Sequence, residues 1–364
     1  MYNWHDFKKD LFGEPEIIPE VVEREPFWGD ITPSPNRLQK WEEFRGNSKA
    51  KGLLQMTVKV AEVTNKPMRN ILLSGYPGTG KTTLANIIAA QSNSTIILKL
   101  GSSLKNENEI IKVMMEIEDR QQAGEKVILF IDEIHNLGGG SISEDQFFYL
   151  LEEGHFPHNK RGDHIKVNGQ KFEITTNDYC TPERFPIIGA TTDLNLLHPA
   201  LQSRFEIQVE VEPYTIPELA EIIISYAEKK EIKATEEASN KIAAISRFIP
   251  RKALATLKLA NDYAISVSHT EIGEEEVKFI QSLQGITDEG LLPREITLLK
   301  ILADRDKPMG GASLAASAGM SEGDYKLNSE PYLLHPLIRY IIITPRGRMI
   351  TEKGKEIISK YEND

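Results

Sequence analysis

One glycine-rich turn in the sequence has residue types that suit phosphate chemistry. Residues 75–82 read Gly-Tyr-Pro-Gly-Thr-Gly-Lys-Thr, the spacing of a phosphate-binding loop. Glycines let the backbone turn so that successive N–H groups face phosphate oxygens, and a helix that begins there adds its positive N-terminal end. Lys81 could reach the β- and γ-phosphates of a nucleotide, and the Thr82 hydroxyl could ligate Mg²⁺. The turn therefore predicts a nucleoside triphosphate site.

Two adjacent acids further along the chain could complete such a site. Residues 127–131 are all apolar, and Asp132 and Glu133 follow them directly. Ligands bind at the carboxyl ends of the strands in an open α/β sheet, which is where these acids would lie. Asp132 would hold Mg²⁺ through water, and Glu133 would orient and polarise the attacking water. His135 is interpreted only as a neighbouring polar residue.

Three further residues are candidates for sensing or stabilising the γ-phosphate. Thr192 follows the apolar run 185–190 and could lie between the acidic pair and the γ-phosphate. Arg204 could reach the γ-phosphate of a neighbouring subunit as an arginine finger, although an arginine taken alone is more often a surface ion-pair residue. Arg251 begins a predicted helix and could contact the γ-phosphate from above. Spacing alone leaves that role of Arg251 open.

The elements that must position these residues alternate between strand and helix, which predicts a parallel α/β sheet. The phosphate loop lies between a predicted strand and a predicted helix, the context that confirms the pattern. Predicted strands are 71–73, 95–98, 127–131, 185–190 and 205–211, and predicted helices are 82–92, 107–122 and 144–153.

From residue 215 the predicted elements are helical, and the next predicted strand begins at 339. Thr215 and Glu218 form a capping-box pattern before a predicted helix 216–230, and helices near 235–248, 251–267 and 272–284 follow. After a predicted linker come helices 293–304, 311–319 and 321–334, a strand 339–344, a turn and residues 349–351, an order that suggests a winged helix. The predicted division is an arm (1–36), an ATPase core (37–214) with an inserted hairpin near 163–176, a helical lid (215–287) and a winged-helix domain (288–364).

The composition excludes several classes of protein. The chain has 364 residues, 40% of them hydrophobic, so it is not wholly disordered. It lacks an apolar run long enough for a membrane span, and its first residues do not read as a secretion signal. The single cysteine, Cys180, excludes an intramolecular disulfide framework and a cysteine-rich zinc site. We therefore expect a cytoplasmic protein.

The charge is unevenly distributed. The net charge is −11, yet residues 291–364 carry eleven bases and ten acids, whereas the first thirty residues carry eight acids and three bases. Bulk charge thus argues weakly against coating nucleic acid but leaves room for a local basic site. The acidic first segment, with its prolines and aromatics, reads either as an arm packed on its own domain or as an arm that docks a partner.

Together these motifs resemble the AAA+ ATPases and, more narrowly, the RuvB family of Holliday-junction branch-migration motors. The resemblance runs from about residue 40 to about 359 and includes a winged-helix end that most other AAA+ branches lack. Glu43-Phe44-Arg45-Gly46-Asn47 is similar to the motif that precedes the family's first helix. The remaining matching segments are 75–89, 130–135, 188–192, 203–205, 250–251, 330–334 and 344–348.

The resemblance implies an α/β P-loop core with an all-helical lid, an ATPase that uses Mg²⁺, and hexameric rings around duplex or branched DNA. It implies Glu133, Thr192 and Arg204 as catalytic residues, Thr82 and Asp132 as metal residues, and Arg346 and Arg348 as DNA contacts. The residues implied in nucleotide binding are Gly75, Pro77, Gly78, Thr79, Gly80, Lys81, Thr82, Thr83, Asp132, Tyr214 and Arg251.

The chain also departs from the family pattern. Residues 165–174 contain Asn-Gly between alternating apolar residues, which predicts a hairpin where the family docks its partner RuvA. Ile343 and Gly323 stand where the family has basic residues, so fewer phosphate contacts with DNA are expected than is usual in the family. These departures leave open a non-translocating AAA+ switch or loader that recruits a partner through the arm or the hairpin. A protein-unfolding AAA+ is the weakest alternative, because the ATPase segment lacks an aromatic–hydrophobic–glycine pore loop.

Overall fold

A computed structural model describes residues 39–361, apart from 138–143, 168–169, 175–177, 182 and 306. The chain divides into two compact units, residues 1–36 and 37–364, and the first, the predicted arm, lies outside the described residues. No helix among the described residues is long and apolar enough to cross a membrane.

A five-stranded parallel sheet forms the centre of the first domain, with the strand order β2-β3-β8-β1-β9. The side chains of β8 and nearly all of those of β1 and β3 are buried, as the apolar runs predict for central parallel strands. The parallel α/β sheet expected from the sequence is therefore confirmed. The strands are β1 (Ile71–Gly75), β2 (Thr95–Leu100), β3 (Val127–Asp132), β4 (His155–Pro157), β5 (His164–Val167), β6 (Gln170–Glu173), β7 (Asp178–Cys180), β8 (Ile187–Thr191) and β9 (Ile207–Val211).

The helix Glu107–Gln122 (α3) has a local signal at each of its ends. The Asn106 side chain accepts a hydrogen bond from the Glu109 N–H at 3.1 Å and so begins α3, and Gly124 beyond its end has a φ of +83°. Ile110, Met114 and Ile117 are buried at helical spacing. The helices are α1 (Ser48–Thr64), α2 (Lys81–Gln91), α3 (Glu107–Gln122), α4 (Glu144–Glu153) and α5 (Pro199–Gln202).

The long connection between α4 and β8 contains four short strands in two antiparallel pairs. β4 pairs with β7, and β5 pairs with β6 so that Ile165 lies opposite Phe172. The predicted hairpin is therefore present, while its Asn168-Gly169 tip lies outside the described residues.

The lid is helical, and its hydrophobic core is continuous with that of the sheet domain. The capping box is formed as predicted: Thr215 N–H donates to the Glu218 carboxylate at 2.8 Å, and Glu218 N–H donates to the Thr215 hydroxyl at 3.4 Å. The lid helices are α6 (Ile216–Lys229), α7 (Glu236–Ile245), α8 (Pro250–Ser266) and α9 (Glu274–Gln284).

The C-terminal domain has the predicted winged-helix order, with two corrections. The single helix expected over 321–334 is broken by a π-helical turn (Tyr325–Ser329), because Pro331 has no N–H for the Leu327 carbonyl and Arg247 donates to the Asn328 carbonyl at 2.9 Å. The strand expected from 339 begins at Ile341, since Arg339 has a φ of +48°. The elements are α10 (Pro293–Ala303), α11 (Gly311–Ser317), α12 (Glu322–Asp324), α13 (Glu330–Leu333), β10 (Ile341–Thr344), β11 (Gly347–Ile350) and α14 (Glu352–Ser359).

Candidate nucleotide site

The phosphate loop connects β1 to α2 at the carboxyl edge of the sheet. Gly75, Gly78 and Gly80 have φ angles of +143°, +82° and +103°, which only glycine adopts without strain. Pro77 is exposed on the loop, and Thr83 is half-buried in the first turn of α2. The loop is thus a backbone cradle that opens toward the start of a helix.

Lys81 is held inside this loop. Its side chain is buried, and its Nζ donates to the Gly75 carbonyl at 2.7 Å and to the Tyr76 carbonyl at 3.0 Å. Burial lowers the pKa of Lys81, while the nearby Glu133 and Asp132 oppose that shift. The ammonium group is therefore fixed against the loop that would receive phosphate.

Two oxygen groups meet beside the lysine. The Thr82 hydroxyl donates to the Asp132 carboxylate at 3.3 Å, across the gap between α2 and the end of β3. Hydroxyl and carboxylate oxygens are the hard donors that Mg²⁺ prefers, so these two residues fit a magnesium ion. Among the described residues, no group of three or more histidine, cysteine, aspartate or glutamate side chains is placed to hold a metal ion by protein ligands alone.

Glu133 lies next to Thr192, although the two residues are on different strand ends. The Thr192 hydroxyl donates to a Glu133 carboxylate oxygen at 2.9 Å. Glu133 has a φ of +50°, and a Cβ at Gly101 would collide with its carbonyl oxygen. The sequence did not single out Gly101, whose only signal is a glycine immediately after the edge strand β2. Because Gly101 has no side chain, the Glu133 backbone can adopt the left-handed conformation that places its carboxylate beside Thr192.

His135, interpreted from the sequence as a neighbouring polar residue, belongs to the same network. Its Nδ1 lies 2.8 Å from the Thr191 hydroxyl and 3.4 Å from the Glu133 carboxylate. That hydroxyl donates to the Asp193 carbonyl at 3.0 Å, so Nδ1 carries the hydrogen and donates to Thr191. The Asp-Glu-Ile-His spacing was the available signal. His135 thereby fixes the loop between the two strand ends.

The opposite side of the loop is closed by aromatic side chains. The Tyr214 hydroxyl donates to the Thr79 carbonyl at 3.0 Å, and burial raises the pKa of Tyr214. The Phe44 and Tyr214 rings lie 6.5 Å apart, and a Cβ at Gly80 would be 3.0 Å from the Phe44 ring. The segment before α1 and the end of the core therefore meet at the phosphate loop.

The two arginines proposed to sense the γ-phosphate lie in different settings. Arg251 is exposed in the first turn of α8, with its Cβ 3.3 Å from where a Gly78 Cβ would be. Arg204 instead contacts α4 and α5 of its own chain: its Nε is 2.9 Å from Glu152, its Nη1 donates to the Ala200 carbonyl, and its guanidinium covers Phe148 at 4.0 Å. The structure thus brings Arg251, but not Arg204, to this phosphate loop.

The two predicted DNA contacts also differ. Arg346 is exposed at the tip of the β10–β11 hairpin. Arg348 forms an ion pair with Glu330 at 2.5 Å, which raises the pKa of Arg348, and its guanidinium packs against Gly311. Ile343, opposite Arg348 in the hairpin, is 56% exposed. Of these two arginines, Arg346 is therefore the one without an ionic partner among the described residues.

The chain matches family models over both its first and last folded domains. Residues 36–211 match the Holliday junction DNA helicase RuvB P-loop domain, and residues 288–359 match the RuvB C-terminal winged helix domain. The RuvB subunit of the Holliday junction branch migration complex of Thermotoga maritima is 32% identical over 328 residues, which are 90% of this chain and 92% of that relative. The corresponding subunit of Kosmotoga olearia is 31% identical over 320 residues, 87% of this chain and 88% of that relative.

Solved structures agree with these sequence matches. The Thermotoga maritima RuvB branch migration motor superposes with a TM-score of 0.72 at 30% identity, covering 89% of this chain and 98% of that chain. The ORC2 protein of Aeropyrum pernix, at 14% identity and a TM-score of 0.55, shares the fold alone. The parallel core with its phosphate loop and the C-terminal winged helix are thus those of one family. The chain belongs to the RuvB family.

Proposed function

We propose that this protein hydrolyses ATP and uses the cycle to drive branched DNA, such as a four-way junction, through a ring of identical subunits. The observation that carries the proposal is the convergence of the lysine, the oxygen pair and the Glu133–Thr192 pair at one edge of the sheet. Ligands of open α/β sheets bind at that edge. ATP hydrolysis is the activity of the family to which the chain belongs.

In the proposed site, each residue has one task. Lys81 neutralises charge on the β- and γ-phosphates, and Thr82 and Asp132 hold Mg²⁺, which supplies further charge neutralisation when bound. Glu133 orients and polarises the attacking water, and Thr192 sets the position of the Glu133 carboxylate through its 2.9 Å hydrogen bond. Arg251 and Tyr214 connect the loop to the lid.

Arg204 completes the site of a neighbouring subunit in the proposed ring, for which a hexamer is expected from the family. It must leave Glu152 and Phe148 of its own chain to do so. That exchange makes hydrolysis dependent on assembly, because the positive charge of Arg204 reaches the transition state only at a subunit interface.

The winged helix contacts the DNA backbone through Arg346 in this proposal, and Arg348 contributes mainly by holding the hairpin to α13. One arginine per subunit binds weakly, and a ring multiplies that contact. The hairpin β5–β6 is the proposed docking surface for a RuvA-like protein.

The proposal is tested with purified protein, ATP, Mg²⁺ and a synthetic four-way junction, with any partner encoded beside it. We expect ATP-dependent dissociation of the junction and retention of rings by a Glu133→Gln variant in electron micrographs. Absence of both DNA binding and junction dissociation would sink the proposal.

A second function is favoured by the scarcity of available basic side chains in the wing. Arg348 is paired with Glu330, and the exposed Ile343 is apolar. In this second function, ATP controls assembly of a non-translocating switch or loader, and residues 1–36 recruit a partner protein. Deletion of residues 1–36 separates the two functions. Loss of partner binding with intact DNA-stimulated hydrolysis supports recruitment, whereas loss of junction dissociation by Arg346→Met supports the motor.

A further inference from the structure

Two consecutive residues of the lid have strained backbones. Arg247 and Phe248, between α7 and α8, have φ angles of +57° and +61°, although neither is glycine. Large side chains rarely adopt this left-handed region, and such strain persists only where surrounding contacts hold it. The contacts that hold this turn lie in the winged-helix domain.

Arg247 is buried in that domain. Its Nη2 donates to Glu295 at 2.6 Å and to the Asn328 carbonyl at 2.9 Å, and its guanidinium lies 4.2 Å above the Tyr332 ring. Glu295 is fully buried, and burial raises its pKa while Arg247 opposes that shift. The charge on one domain thus has its only described ionic partner on the other.

Phe248 is also part of the winged-helix core, although it belongs to the lid in sequence. Its ring stacks on His335 with centroids 4.1 Å apart and planes 11° apart. The His335 ring in turn lies 6.1 Å from the ring of Tyr76, inside the phosphate loop. Three rings therefore connect the winged helix, the lid turn and the nucleotide loop.

The next residues of the same segment touch the nucleotide loop directly. A Cβ at Gly78 would be 2.8 Å from Ile249 and 3.3 Å from Arg251. A five-residue segment, 247–251, is thus held in the winged helix at one end and against the phosphate loop at the other. The segment contains no glycine, so a displacement at one end would be passed to the other.

We propose that the strained turn Arg247–Phe248 is the coupling element between the nucleotide site and the DNA-contact domain. The inference rests on the proposed function, since it assigns a residue-level path to a coupling between ATP and DNA. Such coupling is reciprocal: if bound nucleotide changes DNA affinity by a factor, bound DNA changes nucleotide affinity by the same factor. Phe248 and Arg247 are positioning residues that touch neither ligand.

The test measures that factor with ATPγS, Mg²⁺ and a fluorescent duplex. Phe248→Gly removes the ring and also relieves the backbone strain, which offsets part of the packing lost from the winged-helix core, and circular dichroism with thermal melting checks that the variant is folded. We expect a wild-type factor of about five or more and a factor near one in Phe248→Gly, with each affinity measured alone close to wild type. Arg247→Met/Glu295→Met, which replaces the buried pair without leaving a lone charge, should behave alike.

Matched controls remove similar contacts that do not cross the domain boundary. Phe279→Ala removes a ring stacked on Tyr263 within the lid, and Arg294→Met removes an ion pair with Asp324 within the winged helix. Both should keep the wild-type factor. If the controls lower it as much as Phe248→Gly does, the role is structural and the proposal is overturned.

A second readout does not depend on DNA. Hydrogen exchange of residues 325–335 should respond to ATPγS in the wild type and not in Phe248→Gly. An undiminished factor or an undiminished exchange response in Phe248→Gly overturns the inference while leaving the motor function intact. A wild-type protein that does not bind DNA at all overturns the proposed function instead, so the two failures are distinguishable.

Discussion

The nucleotide site and the wing use their charged side chains in opposite ways. At the nucleotide site, Lys81, Asp132 and Glu133 converge on one cradle and are oriented by backbone and hydroxyl partners. At the wing, Arg348 is neutralised by Glu330, and Ile343 is exposed beside it. The nucleotide site therefore presents a preformed group of charged side chains, whereas the wing presents one exposed arginine, Arg346, beside one that is already paired.

The largest expected effect is at the nucleotide site. Glu133→Gln keeps the shape of the side chain but removes its ability to polarise water, so we expect ATP turnover to fall about 10²- to 10⁴-fold while ATP still binds. Steady-state phosphate release and nucleotide-binding titrations measure the two properties. Glu206→Gln, at an exposed ion pair with Arg69, is the control and should leave turnover unchanged. A Glu133→Gln turnover close to wild type would assign the role elsewhere.

Acid should weaken the packing around His335 in the winged-helix domain. Burial lowers the pKa of His335 to about 4 from its ordinary value of 6.5. Between these two values, His335 binds a proton in the unfolded chain but not in the folded chain. Its contribution to the free energy of unfolding is therefore fully present above pH 6.5 and is lost as the pH falls toward 4. We expect a loss of about 2–3 kcal/mol from this residue.

Denaturant unfolding at several pH values checks this expectation, with His335→Phe as the reference because it keeps a ring beside Phe248 and cannot titrate. The wild-type curve should fall below that of the variant between pH 6.5 and 4. Parallel curves would show that His335 is not the titrating group.

Substitution of Arg348 should lower the stability of the protein, whereas substitution of Arg346 should weaken DNA binding. Arg348→Met leaves the mostly buried Glu330 without its counter-charge, and we expect a loss of about 2 kcal/mol in the free energy of unfolding. Arg346→Met should leave stability within about 0.5 kcal/mol and weaken DNA binding. Chemical denaturation and fluorescence anisotropy measure the two quantities. Equal destabilisation by both substitutions would contradict the difference described for them.

The smallest expected effect is a gain in DNA affinity when basic residues are added to the winged-helix domain. Ile343→Arg and Gly323→Arg each add a cation, and a side chain at Gly323 meets nothing closer than Ser321 Oγ at 4.0 Å. Each new phosphate contact should steepen the slope of log affinity against log salt by about 0.9. Val63→Arg, on the exposed face of α1, adds the same charge elsewhere and should not change that slope. An unchanged slope for Ile343→Arg would remove the wing from the DNA interface.

The sequence predicted the elements whose determinants are local. Apolar runs predicted the buried strands, Thr215 and Glu218 predicted a helix start, and the glycine-rich loop predicted the nucleotide cradle. The residues proposed for phosphate and magnesium contacts lie together at that cradle, although their roles remain predictions.

What the sequence did not predict depends on pairs that are distant in the chain. Arg247 meets Glu295, and Arg348 meets Glu330 rather than solvent. The need for glycine at position 101 follows only from the approach of Glu133 in space. Nothing in the spacing of these residues reports such contacts, because tertiary packing rather than local propensity decides them.

The sheet order has a consequence for synthesis. Among the described strands, β1, which carries the phosphate loop, has β8 and β9 as its partners, and both are made long after it. A growing chain therefore holds β1 without a partner strand until β8 has emerged, and long-range parallel pairing forms slowly. During that interval β1 is exposed to aggregation, so slower translation or chaperone depletion should reduce the yield of this protein before it affects the activity of folded molecules.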